Sequence, residues 1–174
     1  MSNINHPFFG LLSTDKLQDT DVIWEVPQTL DGQSIETWLW ADPASPLQPL
    51  MLDQFEGLLN RLPELDQQAR AALIQHLQED PEFIACHADM VQDENAENLP
   101  ATTALLAKAQ AAGQPHIAAA DFVTALRIEN ISLWCSHDDA PLVLDYRIDP
   151  QGSDQILAVK CDAQGQILEI DWES

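Results

Sequence analysis

The sequence predicts an α+β fold that consists of an N-terminal β-hairpin, central helices and a C-terminal four-stranded antiparallel meander. Near both ends of the chain apolar and polar residues alternate, as in strands with one buried face, whereas between these regions apolar residues recur three or four positions apart, as in amphipathic helices. The chain has 174 residues, which is enough to bury a core without disulfides or metals. We therefore expect a single domain that spans residues 1–174.

The N-terminal hairpin is predicted at about residues 21–40, in the segment DVIWEVPQTLDGQSIETWLW. Its two halves alternate on either side of a Leu-Asp-Gly-Gln turn, a common connection between antiparallel strands. The alternation places Trp38 and Trp40 on the face opposite Leu39, and either face could form the core. Pro27 follows the first half, where it suits a strand end or an edge.

Helices are predicted between about residues 50 and 126. Apolar residues at helical spacing form a first stripe that precedes Pro63, and we expect this proline to end the helix. In the next segment, Asp66 is placed to cap the amino terminus of a second helix. A short helix is expected in EFIACHADM, and an Ala-rich helix, ATTALLAKAQAA, is expected to end at Gly113.

The C-terminal meander is predicted at about residues 127–173. Here the period changes to that of strands, in the segments RIENISLWC, LVLDYRID, QILAVKCD and QILEIDW. The connections between these segments are only a few residues long. Short connections join antiparallel neighbours, because parallel strands need a long crossover. We therefore expect four strands in chain order, with helices covering one face of the sheet.

The charge of the chain restricts the classes of partner. Seven Lys and Arg residues stand against 29 Asp and Glu residues, so the formal net charge is −22. Such a charge repels phosphate backbones and anionic lipids, which argues against direct binding to nucleic acid or to a membrane. The same charge speeds the encounter with a basic protein, which is therefore the natural partner to expect. The alternative is that the acidity only keeps the protein soluble.

Three features of the sequence favour the cytoplasm. Cys86, Cys135 and Cys161 are odd in number and widely spaced, unlike the cysteines of a disulfide framework. The opening segment MSNINHPFFGLLSTDK lacks the basic region and the long apolar run of a signal peptide. No later stretch is apolar over enough residues to span a membrane. We therefore expect a cytoplasmic protein.

Few residues suggest catalysis or metal binding. Cys86-His87 and Cys135-Ser136-His137 offer thiols and imidazoles, which zinc accepts, but their spacing matches no zinc motif. The simpler interpretation is that both thiols are buried and both histidines face solvent. The sequence contains no nucleophile elbow, P-loop or dinucleotide-binding motif. We therefore expect a non-catalytic protein with no cofactor and no metal, and an enzyme or metal protein that uses His and Asp residues is the alternative.

Acidic residues cluster in two predicted loops, which are the candidate partner-binding surfaces. They are Asp89, Asp93, Glu94 and Glu97 around one loop, and Asp138 and Asp139 at the tip between two strands. Such a cluster is usually a solvated surface. A docking surface for a basic partner would instead use the charges for electrostatic steering and charged hydrogen bonds. One or two of the five tryptophans, exposed on a strand face, would then anchor the interface.

The segment LDYRIDPQGSDQILAVKCDAQGQILEIDWES resembles the ending of a bacterial family known as a domain of unknown function, which comprises small acidic α+β proteins. In that family an Asp-Tyr strand leads through a Ser/Thr-Asp step, an apolar strand and an Asp/Gly turn to a closing Ile-x-x-Glu-Ser. The matching positions are Asp145, Tyr146, Ser153, Asp154, Asp162, Gly165, Ile170, Glu173 and Ser174. The segments HPFFG, LDG and FIACHADM are similar to the opening, the hairpin turn and the Phe/Ile-x-x-His segment of the family.

Related small proteins occur near bacterial toxin systems, so the resemblance implies an immunity role. In this role the protein would bind a basic toxin domain in the cytosol and block it, and the resemblance implies no catalytic residue. The alternative is a housekeeping or structural protein with no dedicated partner. An exposed hairpin edge is also compatible with a homodimer.

Overall fold

The computed structural model describes residues 3–92, 96–136 and 139–174. Over these residues the chain forms nine β-strands and five α-helices. The strands are β1 (Asn3–His6), β2 (Gly10–Ser13), β3 (Asp21–Glu25), β4 (Gln28–Leu30), β5 (Gln33–Ala41), β6 (Arg127–Trp134), β7 (Leu142–Arg147), β8 (Ile156–Cys161) and β9 (Ile167–Glu173). The helices are α1 (Pro49–Asn60), α2 (Leu62–Glu79), α3 (Glu82–Met90), α4 (Pro100–Ala111) and α5 (Ala119–Ala125), and a 3₁₀ helix, Ala96–Asn98, precedes α4.

The strands from β3 onward form one seven-stranded sheet in the order β3-β5-β6-β7-β8-β9, with β4 also paired to β5. The α+β class and the C-terminal meander are confirmed, because β6 to β9 pair in chain order and antiparallel. The predicted N-terminal hairpin is present in outline, but the sheet is mixed, because β5 of this hairpin also pairs parallel with β6. Residues 42–126, which carry the helices, supply the long crossover that a parallel pair requires.

The predicted hairpin at residues 21–40 corresponds to three strands. β4 and β5 form the hairpin itself, with Asp31 at φ 49° and Gly32 at φ 77°, both in the left-handed region that a two-residue hairpin turn uses. β3 pairs with the remaining length of β5, and Pro27, which has no backbone N–H, lies between β3 and β4. The sequence does not predict the additional hairpin of β1 and β2, because its strands are only four residues long.

The helices cover one face of the large sheet. In β7, Leu144 and Tyr146 are fully buried in the core, whereas Val143 and Asp145 lie on the opposite face and are half-buried. Burial of the helix-facing side chains supplies most of the stabilisation of such a layered fold. The other face of the sheet carries the residues from which the candidate site is built.

Asp66 joins the helical layer to the sheet. α2 begins at Leu62 and has Pro63 in its first turn, so the prediction that Asp66 caps this helix is wrong. Asp66 is instead buried within α2, where its carboxylate accepts hydrogen bonds from Arg70 Nε at 2.8 Å and from the Tyr146 hydroxyl at 2.7 Å. Arg70 also donates to a backbone carbonyl of α5. The network therefore fixes β7 against α2 and α5.

Asp149, in the loop between β7 and β8, caps α4 from a distant part of the chain. Its buried carboxylate accepts hydrogen bonds from the backbone amides of Ala101 and Thr102, both at 2.8 Å, and from the Thr102 hydroxyl at 2.7 Å. The loop approaches the 3₁₀ helix so closely that a Cβ at Gly152 would lie 2.5 Å from the carbonyl oxygen of Asn98. The loop is therefore held by backbone contacts as well as by the cap.

His87 fixes the other end of this loop, and the prediction that it faces solvent is wrong. Its Nδ1 donates to the carbonyl of Phe83 at 2.9 Å, so its Nε2 accepts a hydrogen bond from the Ser153 hydroxyl at 3.0 Å. The side chain is completely buried. Burial lowers the pKa of His87, against opposing effects of the Phe83 hydrogen bond and of the negative charge of Asp149.

The buried imidazole predicts acid sensitivity. Because folding disfavours protonated His87, its contribution to stability is complete above about pH 6.5, the pKa of an unfolded histidine, and is lost as the pH falls below that value. In chemical unfolding, we expect His87→Gln to be less stable than the wild type at pH 7 but to lose less stability between pH 7 and pH 5. His116→Gln, which removes an exposed histidine, should keep the wild-type pH dependence. A wild-type pH dependence in His87→Gln would contradict this assignment.

Candidate functional site

The sheet face opposite the helices carries an open groove of about 660 Å³ across β6 to β9. The pairing register places its side chains on one face, because Ser132 lies beside Val143 and Val143 lies beside Lys160. The polar and aromatic residues of its walls include Ser132, Trp134, Asp139, Asp145, Lys160 and Glu173. The groove thus combines carboxylates with an indole.

Three tryptophans form an aromatic wall beside the groove. Trp40 and Trp134 are paired in the parallel β5–β6 register and stack, with ring centroids 5.1 Å apart and planes 12° from parallel. Trp38 packs its ring edge-to-face against Trp40, with centroids 6.0 Å apart. Trp40 Nε1 donates to the Ser132 hydroxyl at 3.3 Å. These contacts hold the rings in one arrangement, which lowers the entropy that a ligand would have to offset on binding.

Asp145 is the most perturbed carboxylate of the groove. Burial is the main cause that raises its pKa to about 6. The negative charges of Glu173 and Glu129 also act to raise it, whereas a hydrogen bond from the Asn130 side chain and the charge of Lys160 act to lower it. The fold therefore maintains a carboxylate where its charge is disfavoured. Groups of this kind concentrate at functional sites, although structural networks also produce them.

Asn130 lies beside Asp145 in the β6–β7 register. Its side-chain oxygen is buried and has no hydrogen-bond partner among the residues that the structure describes. A buried acceptor without a donor is destabilising. The carboxylate of Asp145 cannot relieve it while ionised, since an ionised carboxylate only accepts hydrogen bonds.

Lys160 is the one basic residue among the described residues that line the groove. Its ammonium donates a hydrogen bond to Asp171 and lies 3.5 Å from Glu173 Oε1. The hydrogen bond to Asp171 is the main reason that the pKa of Lys160 is raised. Because this cation is engaged by two carboxylates on β9, the groove remains acidic beside Asp145 and Asp139.

The predicted partner-binding acids are distributed over the molecule. Asp139 is exposed and lines the groove, whereas Asp89 is exposed on α3 and Glu97 is exposed in the 3₁₀ helix. Three predicted acids lie outside the described residues: Asp93, Glu94 and Asp138. Sequence analysis does not single out Asp145 as a site residue, although its place between Leu144 and Tyr146 in β7 indicates that it faces away from the core.

One group in the described part of the chain has the composition of a metal site. His6, Asp53 and Glu56 offer ligand atoms that lie within 4.8 Å of one another. His6 Nδ1, however, accepts hydrogen bonds from the backbone amides of Phe8 and Phe9, so its proton lies on Nε2, which donates to Asp53 at 3.1 Å. Metal-binding histidines usually donate from the nitrogen that does not bind the metal. These hydrogen bonds therefore indicate that the group holds the β1–β2 hairpin against α1, and they fit this role better than metal binding.

The cysteine-histidine pairs do not form such a group within the described residues. Cys86 is partly exposed and Cys135 is buried, where burial raises its pKa to about 12, so this thiol is a poor metal ligand. Both ring nitrogens of His87 are already hydrogen-bonded, to the Phe83 carbonyl and to the Ser153 hydroxyl. His137 lies outside the described residues.

Comparisons with known proteins give no functional assignment. The chain matches no protein-family model, no curated protein and no solved structure. The resemblance to the bacterial family therefore stays a prediction. Among the helices of the described ranges, none combines the length and the apolar composition needed to cross a membrane.

Proposed function

We propose that this protein is a non-catalytic binding module for a basic protein, and that the groove across β6 to β9 is the surface that binds it. The observation that best supports this proposal is the pairing of a stacked tryptophan wall with an acidic groove on the sheet face opposite the helices. Aromatic anchors and complementary charge are the features that give protein interfaces their affinity and their partner choice.

The chemistry of the groove supports binding more than catalysis. The Ser132 hydroxyl accepts a hydrogen bond from Trp40, and this contact does not activate a nucleophile. Asp145 accepts a hydrogen bond from the Asn130 side chain, and its pKa is raised by burial and by neighbouring carboxylates. The same neighbouring carboxylates favour a cationic ligand over a neutral one.

The partner that we propose is a basic bacterial toxin domain, which the protein would neutralise in the cytoplasm as an immunity protein. The net charge of −22 supports this role because it speeds association with a basic protein and repels nucleic acid. The alternative, a housekeeping or structural role, requires no dedicated partner and no dependence on the groove.

Partner capture with charge-matched variants tests the proposal. Tagged protein is used to capture partners from native lysate at low and moderate salt, and the captured protein is identified, purified and titrated. Asp139→Asn with Asp145→Asn should weaken its affinity about tenfold or more. Glu64→Gln with Glu79→Gln, which removes the same charge from α2, should change the affinity less than about twofold.

Three outcomes would contradict the proposed function. Equal losses in the two double variants would indicate binding by net charge alone. A larger loss of affinity in Asp89→Asn with Glu97→Gln would indicate that the partner binds the loop surface predicted from the sequence, and not the groove. The housekeeping role would be favoured if the capture recovers no partner in near-stoichiometric amount from cells that express the genes adjacent to the gene of this protein.

A further inference from the structure

The groove offers more hydrogen-bond acceptors than donors to a ligand. Asp139, Asp145 and Glu173 contribute carboxylates to its walls. Its one basic residue among those described, Lys160, already donates to Asp171 and lies near Glu173. A ligand that matches these walls must therefore supply N–H donors and positive charge.

The position beside Asp145 fits a flat donor with several N–H groups. The carboxylate of Asp145 lines the groove and, when ionised, can accept two parallel hydrogen bonds. The neighbouring charge of Glu173 adds a further attraction for a cation at this point. A guanidinium group meets these requirements better than an ammonium, because its planar fork pairs with a carboxylate through two bonds.

The tryptophan wall favours the same group. Trp134 lines the groove and is held in a stack with Trp40, so its indole is presented in a fixed orientation. A guanidinium stacks on an aromatic face and is more weakly hydrated than an ammonium, so it loses less when it leaves water.

From these contacts we infer that the groove receives an arginine side chain of the basic partner, whose guanidinium pairs with the carboxylate of Asp145 in the groove that Trp134 also lines. This inference rests on the proposed function, since it names the group by which the groove recognises that partner. Lys160 keeps its contacts with Asp171 and Glu173 in the complex, so the arginine is an added cation and does not replace it.

Titration with short capped peptides tests the inference on the full chain. The probes are acetyl-Gly-Gly-Arg-Gly-Gly-amide, its lysine counterpart and its citrulline counterpart, which has nearly the same shape without the charge. Each is added to roughly 10 mM, a range that covers millimolar dissociation constants, at physiological ionic strength. Backbone amide NMR shifts locate the binding, and tryptophan fluorescence follows it independently.

The arginine peptide should saturate with shifts concentrated in β6, β7 and β8. We expect the lysine peptide to bind about fivefold more weakly and the citrulline peptide not to saturate. Asp145→Asn should weaken the arginine peptide about tenfold, whereas Glu64→Gln, which removes one exposed charge from α2, should leave it unchanged. Since Asp145→Asn replaces an unfavourable charge, loss of binding in this variant will not reflect unfolding.

Equal affinity for the arginine and lysine peptides would overturn the inference, as would the absence of any saturating shift in the groove. Shifts spread over the acidic surface, with equal losses in Asp145→Asn and Glu64→Gln, would also overturn it. The proposed function is judged separately, by the response of the whole partner to Asp139→Asn with Asp145→Asn. The proposed function stands if the double variant weakens binding of the whole partner, even where the arginine and lysine peptides bind with equal affinity.

Discussion

Replacement of Asp145 by asparagine should stabilise the protein at pH 7, by about 1–3 kcal/mol. The environment raises the pKa of this carboxyl group from its ordinary value of 3.8 to about 6, chiefly through burial and the charge of Glu173. The folded protein therefore binds the proton more tightly than the unfolded chain does. Stability falls as the pH rises from about 4 to about 6, and the whole penalty persists at neutral pH. An asparagine carries no charge, and its amide can donate to the buried oxygen of Asn130.

Urea unfolding at several pH values measures this effect. The difference between Asp145→Asn and the wild type should be largest at pH 7 and should shrink towards pH 4, where the wild-type carboxyl group is protonated. Asp139→Asn is the matched control, because it removes an exposed carboxylate from the same groove and should leave the stability nearly unchanged. A variant that is no more stable than the wild type at pH 7, or a difference that does not vary with pH, would contradict the assignment.

A stabilising substitution at Asp145 would itself bear on function. Residues that lower the stability of a fold are commonly retained where activity or binding needs them. The same substitution is expected to weaken partner binding, so stability and affinity should move in opposite directions. This opposition separates a binding residue from one whose role is only structural, since loss of a structural residue lowers both.

Replacement of Asp149 by alanine should lower the free energy of unfolding by about 3 kcal/mol. The variant leaves the first-turn amides of Ala101 and Thr102 and the Thr102 hydroxyl without their buried acceptor. Asp149 also lies in the left-handed region, at φ 50°, where alanine is strained. Asp149→Asn tolerates this backbone conformation and keeps one acceptor oxygen, so we expect an intermediate loss.

Hydrogen exchange and denaturant unfolding together check this prediction. In Asp149→Ala, the first-turn amides of α4 should exchange faster than the amides of α2, because the lost contacts are local to α4. Asp154→Ala removes an exposed carboxylate from the same loop and should cost less than about 0.5 kcal/mol. Similar losses in Asp149→Ala and Asp154→Ala would show that the cap contributes little.

Local patterns account for what could be predicted of the fold. The meander follows from alternation and short connections, and the end of α4 follows from Gly113, which has a φ of 67°. Two features escaped prediction because their partners are distant in sequence. These are the parallel pairing of β5 with β6 and the capping of α4 by Asp149. No local periodicity reports either contact.

The candidate site was accessible to sequence reasoning only in part. Alternation placed Trp38 and Trp40 opposite Leu39, and the acidic tip supplied Asp139. The stacking of Trp40 on Trp134 depends on the parallel register, and the raised pKa of Asp145 depends on burial and on Glu173 from another strand. Both properties arise from tertiary contacts. The sequence therefore indicated candidate residues but could not predict that they form a groove.

The parallel pairing of β5 with β6 also determines when the groove wall is completed during protein synthesis. β5 leaves the ribosome long before β6, since residues 42–126 are made in between. Closing so long a segment costs chain entropy, and contacts of high sequence separation form slowly. The antiparallel meander, whose contacts are local, can assemble first and then accept β5 along its edge. We therefore expect the Trp40–Trp134 stack to form late in folding, and a nascent chain that lacks β6 lacks one strand of the groove.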